Sequence, residues 1–296
     1  LLGLIAAFVI VLLLFKGSLC PVLKKVALVT GAGGQGGIGR VIALRFAREG
    51  ADIAISDLTD NARADWAGLP AVAKEIEVMG RKVFVAKTDV TDADQVDQVD
   101  QMVQGAIEKL GKVDIVVNNA GAPAGPDRVL VVDLKEDAFD LVQRVNVKGT
   151  FLVSRAIARY LTERNDGGKM MNISSVSGLR GNARYAAYCS SKFAVVGFTQ
   201  SMAHEMAPYG ITVNAICPGL VDTERVLGMA SGLKPEGTST EEIRDRMLER
   251  SGQNCPLGRV GQPSNVANVA AFLASPDGDF MTGQAISISG GSVMLC

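Results

Sequence analysis

From residue 25 onward the chain alternates short β-branched apolar runs with longer amphipathic stretches. Short apolar runs bounded by turn residues read as strands buried on both faces. They fall at 26–30, 52–56, 82–86, 113–117, 169–173, 211–216 and 285–289. Helical periodicity predicts helices over 38–49 (ended by Gly50), over about 70–79, and from a cap at Asp92 to about Leu110. One long helix is predicted over about 136–163 and another over 186–207. Residues 57–68 read as an irregular connection, because Gly68 and Pro70 interrupt a helix there. The alternation fails over 221–255, which reads as a loop carrying a short helix near 240–249. Strands alternating with helices predict an α/β chain, a parallel sheet with helices on both faces. No repeat and no low-complexity segment is present, and the elements leave no room for a second domain.

Residues 1–15 break this pattern, being apolar and uncharged throughout. As a helix they would span ~22 Å, short of the ~30 Å hydrocarbon core of a bilayer. A membrane anchor, a secretory signal and an extension without a folded role are three open readings. An anchor would place Lys16, Lys24 and Lys25 on the cytoplasmic side. The division expected is an apolar extension over 1–24, with membrane contact through 1–15 if it anchors, and a catalytic domain over 25–296.

Composition narrows the function. With 30 basic and 31 acidic residues the formal charge is −1, which gives no general attraction to nucleic acid. Cys20, Cys189, Cys217, Cys255 and Cys296 are scattered and His204 is the one histidine. That argues against a zinc site or disulfide framework and for free thiols in the cytoplasm. No metal is expected.

Chemistry enters at the end of the first strand, in Thr30-Gly31-Ala32-Gly33-Gly34-Gln35-Gly36-Gly37-Ile38-Gly39. A glycine-rich turn between a strand and a helix lets the backbone approach a pyrophosphate, and the helix N-terminus then faces that anion. Asp57, eighteen residues past Gly39 at the end of the second strand, can accept from a ribose 2′-hydroxyl and would repel a 2′-phosphate. This favours NAD over NADP; Asp60 is the substitute if the strand ends later. The fold class is therefore a single-domain Rossmann-type doubly wound parallel sheet.

Tyr188 and Lys192 lie four apart in a predicted helix and share a face. An ammonium beside a phenol favours phenolate and makes the tyrosine a proton carrier nearer neutral pH. Tyr185, seven residues before Lys192, is the rival. Ser174 and Ser175 end the fifth strand, where sheet ligands bind. Asn118-Asn119-Ala120-Gly121 closes the fourth strand, and Asn146 interrupts an otherwise apolar helical stretch.

Together these residues resemble the short-chain dehydrogenases/reductases over about residues 25–291. The matching motifs are the glycine turn, Asp89-Val90, Asn118 to Gly121, Asn146, Ser175, Tyr188 with Lys192, and Pro218-Gly219. The resemblance implies Tyr188 as general acid/base, Lys192 as its tuner and a ribose ligand, and Ser175 as the group orienting the carbonyl. Ser174 is the weaker candidate. It also implies that Asn146 holds a water linking Lys192 to solvent. Cofactor contacts would come from Gly31, Gly37, Ile38, Gly39, Asp57, Asp89, Val90, Asn118, Ala120 and Gly121, with Pro218, Gly219, Val221 and Thr223 on the nicotinamide side. Homodimers or homotetramers are common in the family. Two departures stand out. The glycine turn is two residues longer than T-G-x-x-x-G-x-G, and Ser289 stands where an aspartate usually precedes the last glycines.

The function expected is an NAD-dependent dehydrogenase/reductase acting on a small secondary alcohol or ketone. The alternatives are a 3-oxoacyl-thioester (acyl carrier protein) reductase, against which Asp57 weighs, and a dinucleotide sensor without turnover, against which Ser175, Tyr188 and Lys192 weigh. The loop 122–128 and the segment 221–255 are expected to shape the pocket, with Leu179, Leu220, Leu227, Met229 and Leu233 as candidate lining.

Overall fold

The computed structural model describes residues 22, 24–60, 65–92, 98–235 and 237–294. The apolar stretch 1–15 lies outside these residues. Among the described residues no helix is long and apolar enough to cross a membrane.

Seven strands form one parallel sheet: β1 Val26–Thr30, β2 Asp52–Asp57, β3 Val83–Lys87, β4 Ile115–Asn118, β5 Gly168–Ile173, β6 Ile211–Pro218 and β7 Ala285–Ile288. Their order is β3-β2-β1-β4-β5-β6-β7. The seven predicted runs are these strands, with ends shifted by up to two residues. The chain reverses direction across the sheet between β1 and β4, which opens a crevice at the carboxyl ends of these strands.

Both faces are covered. On one, α1 (Ile38–Arg48), α2 (Leu69–Val78) and α9 (Pro263–Ala274) pack on Val29, Ile53, Ile55 and Val117. On the other, α3 (Gln98–Leu110), α5 (Thr150–Arg164) and α6 (Ala186–Met206) pack on Leu28, Ala54, Val116 and Met170. Alternating side chains of a strand point to opposite faces, so a strand covered on both is mostly apolar, and β1 and β4 are buried at every position.

Asp114, just before β4 and 3 % exposed, ties β1 and α5 to the entry of β4. Its Oδ2 accepts from the Val26 N–H at 2.9 Å. Lys112 Nζ lies 3.0 Å and Arg164 Nη1 3.1 Å from its carboxylate oxygens.

Three expectations change. The single helix over 136–163 is two: α4 (Glu136–Gln143) and α5, joined by a wide π-helical turn over Arg144–Gly149. The segment 221–255 carries two helices, α7 (Glu224–Leu233) and α8 (Thr240–Gln253). Helix α9 was not foreseen; Pro263 opens it and the Asn265 side chain accepts from the Gln262 N–H at 2.9 Å. The stretch in which a helix start after Asp92 was expected, 93–97, lies outside the described residues; Asp92 itself accepts from the Gln98 side chain at 2.8 Å.

Candidate active site

Thr30, Asp57, Asn118, Ser174, Ser175 and Pro218 all stand at the carboxyl edge of the sheet, on the crevice side. The glycine turn leaves β1 through Gly31, whose φ of +66° suits glycine. Space also demands glycine: a Cβ on Gly31 would meet the Ala120 Cα at 2.8 Å, and one on Gly39 would meet the Asn119 Nδ2 and the Gly31 carbonyl oxygen at 2.5 Å. Asn119 locks the approach by donating to the Thr30 and Gly31 carbonyls at 2.9 and 2.8 Å. The Thr30 hydroxyl in turn accepts from the Asn119 and Ala120 N–H groups, both at 3.1 Å.

The two extra residues form a further bend, closed by Gly37 N–H to the Gly34 carbonyl at 3.2 Å. Its N–H groups already hold anionic oxygens: Gly33 donates to Asp57 Oδ2 at 2.9 Å and Gly36 to Glu224 Oε1 at 3.2 Å. Helix α1 begins at Gly37 with no side-chain cap and no acid in its first turn, which leaves its positive end open to an anion. These features fit a dinucleotide's pyrophosphate. Trp66, which the sequence reading passed over, braces the turn by donating to the Gly33 carbonyl at 2.8 Å.

The other predicted cofactor residues line the same edge in different ways. The Asp89 carboxylate accepts from the Thr91 N–H at 2.8 Å. Val90 packs where a Cβ on Gly149 would fall, at 2.7 Å. The Asn118 amide donates to Ser154 and Asn172, both at 2.8 Å, so its side chain braces the sheet and only its main chain faces the turn. Gly121 lies beside Asn146, Gly219 against Ser289, and Val221 bridges to Gly261. Thr223 is the residue before α7.

Tyr188 and Lys192 sit on one face of α6, as their spacing demands. The ammonium is 5.7 Å from the centre of the tyrosine ring and donates to the Ile173 carbonyl at 2.8 Å. Burial raises the Tyr188 pKa, but Lys192, Arg225, a hydrogen bond from Ser175 and Arg128 together bring it below the ordinary tyrosine value. Burial lowers the Lys192 pKa, opposed by Tyr188. Ser175 is thus the serine on the phenol, whereas Ser174 donates to the Lys192 carbonyl at 2.9 Å. Tyr185 goes the other way: burial pushes its pKa up.

Asn146 lies in the wide turn, 1 % exposed. Its Oδ1 accepts from the Ala122 N–H at 2.9 Å and its Nδ2 donates to the Ser191 hydroxyl at 2.9 Å. It therefore fastens the loop after β4 to α6.

Two residues that the sequence did not single out stand over the Tyr188 ring. The Arg128 guanidinium lies 4.1 Å from the Tyr185 ring centre and 4.3 Å from that of Tyr188. Arg225, from α7, lies 5.1 Å from the Tyr188 ring and donates to the Ala122 carbonyl at 2.5 Å. Of the candidate pocket lining, Met229 is buried and Leu227 points outward, 36 % exposed. A groove of about 480 Å³ on the outer faces of α5 and α6, lined by Phe151, Arg155, Phe198 and Tyr209, is away from this chemistry.

A family model described as enoyl-(acyl carrier protein) reductase matches residues 31–292. A 3-oxoacyl-(acyl-carrier-protein) reductase of Thermotoga maritima is 36% identical over 270 residues, 91% of this chain and 98% of that protein. Among solved structures, a 7α-hydroxysteroid dehydrogenase complexed with NADH and 7-oxo glycochenodeoxycholic acid superposes with a TM-score of 0.78 at 33% identity, covering 94% of this chain and 97% of the other. An NAD+-bound xylitol dehydrogenase gives 0.78 at 33% identity, covering 91% and 99%.

Proposed function

Since this chain belongs to the short-chain dehydrogenase/reductase family of oxidoreductases, we propose that it interconverts a secondary alcohol and a ketone with NAD, using Tyr188 as general acid/base. The observation that carries this reading is the Tyr188 phenol held between Ser175 and Lys192 with its pKa lowered.

Main-chain groups of Gly31, Gly37, Ile38 and Gly39 would hold the pyrophosphate, and Asp57 the adenosine ribose. Asp89, Val90 and the main chain of Asn118, Ala120 and Gly121 would flank the adenine side. Pro218, Gly219, Val221 and Thr223 would flank the nicotinamide, and Lys192 its ribose. When bound, the nicotinamide supplies or accepts the hydride. The protein handles the proton. In reduction the Ser175 hydroxyl orients the ketone oxygen and Tyr188 Oη delivers a proton to it; in oxidation the phenolate takes that proton back. Lys192 stabilises the phenolate at each turnover. The Asn146 carbonyl, which accepts from the Thr150 hydroxyl at 2.7 Å, would hold a water on the way from Lys192 to solvent.

Tyr188→Phe removes the proton carrier and leaves the glycine turn untouched. NADH binding, read by fluorescence, is expected to persist while ketone reduction falls by about 10²–10⁴-fold. Undiminished turnover would refute the role of Tyr188. For the cofactor, Asp57→Ala should narrow the preference for NAD over NADP; an unchanged ratio would move that role to another residue, such as Asp60.

A second reading is reduction of a 3-oxoacyl thioester, favoured by the names of relatives such as the Thermotoga maritima reductase. Faster turnover of acetoacetyl-coenzyme A with NADPH than of any simple alcohol with NAD would establish it. Subunit association as a dimer or tetramer is also part of the proposal, supported by the exposed Leu257, Phe280 and Met294 around β7.

A further inference from the structure

A buried guanidinium with unused hydrogen-bond donors is costly unless something meets it. Arg128 is such a group. Its side chain is 1 % exposed, and its Nε and Nη1 reach no hydrogen-bond acceptor. The rings of Tyr185 and Tyr188 lie against it, their centres 4.1 and 4.3 Å from its central carbon. Aromatic rings attract the cation but offer its Nε–H and Nη1–H groups, part of the fork that matches a carboxylate, no acceptor. Asp127, the adjacent acid, is 3.4 Å from Nη1, beyond a normal hydrogen bond, and its Oδ1 is engaged by the Gly125 N–H at 3.2 Å.

Arg225 adds a second guanidinium. One of its nitrogens is used by the Ala122 carbonyl, and no carboxylate pairs with it among the described residues. The two arginines are near enough that Arg225 adds to the effect of burial in lowering the Arg128 pKa. Around one tyrosine ring, then, stand Arg128, Arg225 and Lys192, with Asp127 as the facing acid. Tuning a phenol needs one cation, which Lys192 supplies. An anion lodged between the arginines would occupy the unused donors and relieve their mutual repulsion.

We propose that Arg128 and Arg225 form a carboxylate-binding pair beside Tyr188, so that the ketone this chain reduces is a short oxo acid whose carboxylate lies one or two carbons from the carbonyl. The proposal rests on Tyr188 being the proton donor to that carbonyl.

The test compares each acid with its neutral ester: acetoacetate with methyl acetoacetate, and pyruvate with methyl pyruvate, using NADH. The ratio of kcat/KM for acid over ester cancels any effect of an arginine on Tyr188 itself. The wild-type protein should prefer one of the acids. Arg225→Met and Arg128→Met should each lower the acid-to-ester ratio by about tenfold to a hundredfold, mostly through KM. Arg128→Lys keeps the charge without the fork and should lower the ratio too, which covers the case in which Arg128→Met does not fold. Calorimetric binding of the same acids to the protein–NADH complex reads the site without turnover. No preference for either acid in the wild type, equal losses for acid and ester, or lost NADH binding with an unchanged ratio would each overturn the proposal. Arginine-dependent binding of an acid that is never reduced would keep the anion site and discard the reductase reading.

Discussion

At Tyr188 burial favours the neutral phenol, while Lys192, Arg225, Ser175 and Arg128 favour the phenolate and prevail. Alcohol oxidation needs the phenolate, so its kcat/KM should rise with pH and level off below pH 10, the ordinary tyrosine value. Ketone reduction needs the phenol and should fall through the same range. Lys192→Met removes the strongest of the effects that lower the pKa, so the rising limb of oxidation should move to higher pH. A limb that stays in place in the variant would assign it to a different group. Tyr188, Lys192 and Ser175 were legible because helical spacing and position at a strand end convert directly into proximity, and Asn146 because an amide stands out in an otherwise apolar helical stretch. Arg128 and Arg225 were not. Positions 128, 185, 188 and 225 meet only because a loop after β4 and helix α7 fold over α6, and no local spacing announces that.

Elements were legible to the extent that their own residues dictate them. The inner strands β1 and β4 were found because burial on both faces leaves a nearly unbroken apolar run. Helix α9 was missed: it is rich in alanine and buries Val266, Ala267, Ala270, Ala271 and Leu273, so polar positions that mark an amphipathic helix are few. Helix α7 was blurred by Gly228 and Gly232, whereas α8 was foreseen near 240–249 and runs four residues further. Asp114 also escaped notice, since an acid between Val113 and Ile115 reads as the edge of a strand. It joins β1, β4 and α5 through Val26, Lys112 and Arg164. Asp114→Ala strips a buried N–H and two cations of their acceptor. The expected loss is about 3 kcal/mol, or roughly 6–12 °C in Tm. A thermal melt within a degree of wild type would show that water takes over the contacts of the carboxylate.

Over the whole molecule, strand order decides where chemistry gathers. All seven strands run parallel, so every strand-to-helix loop opens on one edge and every return loop on the other. Residues as far apart in the chain as Gly31 and Arg225 therefore face the same crevice. Asp114 lies at the opposite edge and serves the architecture. The wide turn at Arg144–Gly149 couples the two edges, because it carries Asn146 into the crevice and then hands the chain to α5, which lies on the sheet. Each residue advances a helix by about 100°. Making that stretch a uniform α-helix with every residue kept would swing Leu152, Val153, Ala156 and Ile157 off the strands they cover. The irregularity thus sets the rotational phase of everything downstream of it, and the place of the Asn146 amide and the packing of α5 are inherited together.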